Sequence, residues 1–170
     1  MSGGRAGRLA LLALALLTIA CDRMTKQAAE AALSGGARRS FLNDVVRLEY
    51  VENAGAFLSL GASLPPWART GLFTIGAGAC LLAGLALSLR QRWSPRAALG
   101  LTLVAAGGAS NLIDRLARGT VTDFMNVGIG PLRTGIFNLA DVAITLGAVL
   151  VVLGGRPGAR PDQPDQERLI

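Results

Sequence analysis

GGASNLIDRLARGTVTDFMNVGIGPLRTGIFNLADVAIT, residues 107–145, sets three carboxylates, Asp114, Asp123 and Asp141, beside apolar sequence of the kind that crosses membranes. An ionisable side chain in that setting is costly and is a functional candidate by default. Asn111, Asp114 and Arg115 fall at i, i+3 and i+4, so a helix ending there carries them on one face. Asn138 and Asp141 repeat the i, i+3 spacing at the start of the next apolar run, with Thr145 one turn on. Two helix ends thus present carboxylates and amides to one another. Two carboxylates close enough to share one proton divide into a base that activates water and an acid that protonates a leaving group, and they titrate as a coupled unit. The opposing reading pairs Asp114 with Arg115 or Arg118 and leaves Asp123 in a solvated loop; the clustering of the acids weighs against it. The residues alone do not choose the pair among the three.

Outward from this stretch, the chain of 170 residues is 51% hydrophobic, with apolar blocks too long for a soluble core. The expectation is a mainly α, polytopic membrane protein with one integral domain over residues 1–155. The sequence holds no histidine, which removes His-based triads, His metal sites and His proton shuttles. Cys21 and Cys80 are isolated in apolar runs and form neither a zinc motif nor a disulfide framework; no metal and no cofactor is expected. The formal charge is +6, but the arginines are scattered around the apolar blocks without interleaved aromatics. That pattern points to membrane lipids and away from nucleic acid.

Four spans are expected, at about 9–32, 68–89, 97–113 and 137–153. In the first, the run Leu9 to Cys21 is short for a span of about 20 residues. A basic start and the LTIAC stretch at 17–21 also suit a cleavable signal peptide with a loose lipobox. The favoured reading continues the helix through Asp22, Thr25 and Lys26 to about Ala32 and retains residues 1–21, because Asp22 and Lys26 meet at i, i+4 on one helix face and AAEAAL is good helix sequence. Ser34, Gly35 and Gly36 stop it. Residues 37–64 are expected to form a small β-rich extracytoplasmic cap between the first and second helices, since Val46, Leu48 and Tyr50 partly alternate. Asn53, Gly55 and Ala56 make a compact turn there, either an ordinary hairpin turn or a place where glycine lets backbone approach a ligand. Residues 115–136 read as a loop. The segment 156–170 reads as a polar, disordered tail. Three arginines at 90, 92 and 96 with no acid among them place both termini in the cytoplasm and the Asp cluster on the outer side.

Taken together, the blocks DRMTK at 22–26, NAGA at 53–56, GGASNLIDR at 107–115, VTDF at 121–124 and FNLAD at 137–141 give the chain a resemblance to the bacterial lipoprotein signal peptidases, the type II signal peptidases, from about Leu9 to Leu153. The resemblance implies an aspartyl endopeptidase of the inner membrane that removes the signal peptide from prolipoproteins just before a diacylglyceryl-modified cysteine. No feature of the spans argues for an oligomer, and a monomer is expected. It implies Asp123 and Asp141 as the catalytic pair. Asp22, Lys26, Asn53, Gly55, Asn111, Asp114, Arg115, Asn138 and Ala140 would then shape or brace the site. The chain departs from the family's pattern after Ala56, where Phe57 and Leu58 stand in place of a second Ala and then Phe. The competing class is a small transporter or assembly factor with intramembrane acids as an ion path. Such a path needs polar residues spread through the bilayer depth, whereas here they gather at one end of each span.

Overall fold

A computed structural model describes residues 3–55, 63–90 and 93–154. The tail from 156 and the cap residues 56–62, including Phe57 and Leu58, lie outside the described residues. Helix α1 (Gly3–Leu33) passes without a break through Cys21 and Asp22, so the lipobox-like stretch lies in mid-helix. A second rod begins at Pro66, a proline at the first helical position, and joins α2 (Pro66–Arg69), a π-helical turn (Thr70–Gly76) and α3 (Ala77–Arg90). Helix α4 (Pro95–Arg118) starts on Ser94, whose hydroxyl accepts from Ala97 N–H, and ends at Gly119 in the left-handed conformation that favours glycine. Helix α5 (Leu139–Gly154) follows. Among the described residues, three helical segments, Gly4–Leu33, Pro66–Ala86 and Pro95–Arg118, are long and apolar enough to cross a membrane, and α5 is a shorter apolar helix.

The third helix does not stop near Ile113 as the sequence suggests. It runs five residues further, and Asp114, Arg115 and Arg118 extend it because partners on other elements meet their charges: Arg23 and Lys26 for Asp114, the Gly55 carbonyl for Arg115, Glu30 for Arg118. Helices α4 and α5 pack antiparallel at backbone contact. A methyl on Gly100 would stand 2.5 Å from the Gly147 carbonyl oxygen, and one on Gly107 2.5 Å from that of Ala140; small residues permit such close approach.

The β-structure also differs from expectation. Strands β1 (Arg39–Phe41) and β2 (Val46–Asn53) lie between the first two helices as foreseen, but β3 (Val121–Ile129) and β4 (Leu132–Arg133) form in the segment read as a loop. The four make one antiparallel sheet in the order β1-β2-β3-β4. The cap is therefore shared between two connections. The reason is non-local: β3 satisfies its backbone on β2, some 70 residues earlier in sequence, and no local pattern announces that partner. Leu48, Tyr50, Phe124 and Met125 of the sheet pack with Ala29 and Leu33 at the end of α1. The register shifts between Leu48 and Val51, so that Val51 stands opposite Asp123 and Asn53 opposite Val121.

Candidate active site

The polar sequence blocks converge where the ends of α1, α4 and α5 meet β2 and β3. Asp22 and Lys26, one turn apart on α1, are both buried and ion-paired at 2.7 Å. The Lys26 ammonium also lies 2.8 Å from Asp114 Oδ2 and donates to Asn111 Oδ1 at 2.8 Å, so two carboxylates and one amide surround it. Asp22 in turn accepts from Ser110 Oγ at 2.7 Å and from the Ala140 N–H at 2.8 Å. It thereby caps the first turn of α5 from another helix, where a negative charge is favoured. Asp114 is completed by an ion pair with Arg23.

Asp141 is placed by local chemistry. Asn138 Oδ1 accepts from the Asp141 N–H at 3.0 Å, and Asp141 Oδ2 accepts from the Asn138 N–H at 3.1 Å. This reciprocal pair is a capping box with Asn at the cap and Asp three residues on. The other carboxylate oxygen, Oδ1, accepts from Asn111 Nδ2 at 2.9 Å. Asp123, brought by β3, accepts from Asn53 Nδ2 at 2.8 Å and from Asn138 Nδ2 at 2.7 Å. Asn138, fully buried, thus holds both carboxylates and also donates to Asn111 Oδ1 at 3.2 Å.

The four acids of this network fall into two kinds. Asp22 and Asp114 are answered by cations. Asp123 and Asp141, among the described residues, are held by amides and backbone N–H groups. Burial pushes the Asp123 carboxyl up from 3.8 to about 6, the charge of Asp141 adds to this, and the Asn53 and Asn138 donors oppose it.

Each of the eleven residues singled out from the sequence falls in this region. Asp22, Lys26, Asn53, Asn111, Asp114, Asn138 and Ala140 are buried in one network, with Asp123 and Asp141 at its head. Arg115 Nη2 donates to the Gly55 carbonyl at 3.0 Å, and the Gly55 N–H donates to Asn53 Oδ1 at 2.9 Å. These two bonds tie the end of β2 to α4 and set the Asn53 side chain. Sequence reasoning missed Arg23 and Ser110. Arg23 lies three residues before Lys26 and so shares its face of α1, a spacing signal that was there to be read.

The family model for signal peptidase (SPase) II matches residues 14–155. A lipoprotein signal peptidase of Burkholderia ambifaria is 35% identical over 142 residues, covering 83% of this chain and 84% of that relative. One from Rhodococcus jostii is 36% identical over 161 residues, covering 91% of this chain and 76% of its own length. Two solved structures, each described as a bacterial membrane enzyme, share the fold with TM-scores of 0.69 and 0.68. They are 23% and 21% identical; each covers 85% of this chain, and the chain covers 85% and 90% of them respectively.

Proposed function

The chain belongs to the signal peptidase II family, and on that premise we propose that Asp123 and Asp141 are its catalytic pair. It is a membrane peptidase that removes signal peptides from prolipoproteins. The observation that carries the assignment is Asn138: this one residue binds both carboxylates that no cation contacts among the described residues, Asp123 through its side-chain amide and Asp141 through its backbone N–H. Asp22 and Asp114, committed to Lys26 and Arg23, are braces.

In the proposed reaction the scissile bond lies just before a cysteine carrying a diacylglyceryl group. The ionised member of the pair takes a proton from water, which attacks the carbonyl carbon. The protonated member stabilises the developing oxyanion and then gives its proton to the leaving amine. The Asn53, Asn111 and Asn138 donors hold the carboxylates in place without neutralising either, as a cation would. Gly55, bonded to Arg115, sets the end of β2 over this point.

We read α1, the α2–α3 rod, α4 and α5 as four spans with both termini in the cytoplasm of the bacterial inner membrane and the site and the sheet near the outer face; the arginines at 90, 92 and 96 support that orientation. The signal helix and the lipid chains of the substrate then stay in the bilayer while the mature chain leaves across the sheet. The enzyme works as a monomer. The ion-path alternative loses its footing because the polar network is confined to one end of the bundle. Incubating purified enzyme with a lipidated precursor and weighing both products tests the reading. The expected products are a signal peptide lacking the cysteine and a mature chain beginning with it; cleavage at another bond, or none, contradicts it.

A further inference from the structure

A groove lies between α1 and α3, floored by α4, at the end of the bundle remote from the carboxylates. Its volume of about 830 Å³ is that of a ligand site. Leu11, Leu12, Leu81 and Leu101 make it apolar along its length, while Arg8 and Trp93 also line it. Thr102 on the floor has already spent its hydroxyl proton on the Ala98 carbonyl at 2.9 Å. The Trp93 indole nitrogen is buried and finds no acceptor among the described residues, a condition that costs stability until an acceptor arrives. Among the described residues, the nitrogen donors left to a ligand are thus one guanidinium and one indole N–H, joined to an apolar slot. Arg96, three residues beyond Trp93, adds an exposed positive charge at the same end.

We infer that this groove holds an acyl chain of an anionic phospholipid, with the headgroup phosphate accepting from Arg8 and Trp93. The charge argues against the substrate's signal helix as occupant, because the basic start of a signal peptide would lie against Arg8 and Arg96. It favours a negative headgroup, for which one basic side chain at the membrane surface is worth about fivefold in local binding. Nothing in this site takes part in the hydrolysis, so it stands apart from the catalytic assignment.

Trp93 supplies the probe. The chain has two tryptophans, and Trp67→Phe leaves Trp93 alone to report. The protein is reconstituted in phosphatidylcholine bilayers containing the same minor fraction of either phosphatidylglycerol or phosphatidylcholine brominated on its chains. Brominated phosphatidylglycerol is expected to quench Trp93 about fivefold more effectively at low mole fraction. Arg8→Gln should bring the two lipids to parity. Gly84→Leu should do so as well: Gly84 lines the groove and has no atom within 4 Å of an added Cβ, so the new side chain fills the slot without a clash. Its melting temperature and its cleavage of precursor should match those of the parent. Equal quenching by both lipids in the parent overturns the proposal. So does selectivity that survives Gly84→Leu, which would be surface attraction alone. A rise in KM for precursor in Gly84→Leu would give the groove to the signal helix and overturn it too.

Discussion

Replacing Gly107 by Ala puts a methyl group where α4 and α5 touch. The new carbon would stand 2.5 Å from the Ala140 carbonyl oxygen and 2.9 Å from Ile144 Cγ1, whereas carbon contacts settle at about 3.5–4 Å. Helix α5 must therefore withdraw by about 1 Å at Ala140. That residue precedes Asp141 and is pinned through its N–H to Asp22 at 2.8 Å, so the helix cannot slide away as a whole. The strain falls on the first turn of α5, where Asn138 and Asp141 hold each other and Asp123. Overpacking of this kind costs about 1–3 kcal/mol, and a 1 Å displacement of a reacting group costs about 100-fold in rate. Gly100→Ala is the matched control. It creates an equal clash, 2.5 Å from the Gly147 oxygen and 2.8 Å from Val151 N, but two turns further from the site. Both variants should melt at lower temperature in detergent, and only Gly107→Ala should lose about 100-fold in kcat on a lipidated precursor at matched folded concentration. Equal losses of kcat in the two variants, or parental kcat in a destabilised Gly107→Ala, would refute the reasoning.

Lys26→Met strands the buried Asp22 carboxylate and leaves Asp114 to Arg23 alone, and should destabilise the protein by about 3–5 kcal/mol in a denaturation titration; a change under about 1 kcal/mol would show that the ammonium is not the hub. Asn138→Asp keeps a good helix cap but sets a third carboxylate against Asp123, so kcat should fall and the acid limb of the pH profile move upward, with less loss of stability than in Asn138→Ala. For Asp123 the sign is fixed by its raised pKa. The folded protein keeps that proton to about 6, against 3.8 for the free group, so this contribution to stability is full below about 3.8 and lost as pH rises through about 6. Asp123→Asn, always neutral, should therefore gain in melting temperature on the parent between pH 4.5 and 7.5; a constant gap would contradict the burial argument.

The helices were legible because an apolar run is a local property. The expected spans at 9–32 and 97–113 lie within Gly3–Leu33 and Pro95–Arg118. The Asp22–Lys26 pair was legible for the same reason, since i, i+4 spacing fixes it within one helix. What escaped depends on partners far away in sequence. The end of α4 is set by Arg23, Lys26 and Glu30 of α1, and β3 exists only because β2 pairs with it. Within VTDFMNVGI the residues from Val121 to Phe124 are all buried, on both faces of the sheet, so the strand carried no clean period-2 signal. The choice among the three acids was hidden likewise. Spacing made Asp114 as good as Asp123, and the difference lies in the fold: two cations from α1 meet Asp114, while Asn53 and Asn138 hold Asp123.

Cleavage of a lipidated precursor by Asp123→Asn, Asp141→Asn and Asp114→Asn, at matched folded concentration, tests the division of the acids most directly. Asn keeps the size and much of the hydrogen bonding of Asp but cannot exchange the proton. Asp123→Asn and Asp141→Asn should each abolish turnover while the protein still folds and binds precursor. Asp114→Asn should retain measurable turnover in a less stable protein, because it weakens only the pairing with Arg23 and Lys26. Near-parental turnover by Asp123→Asn or Asp141→Asn would contradict the account.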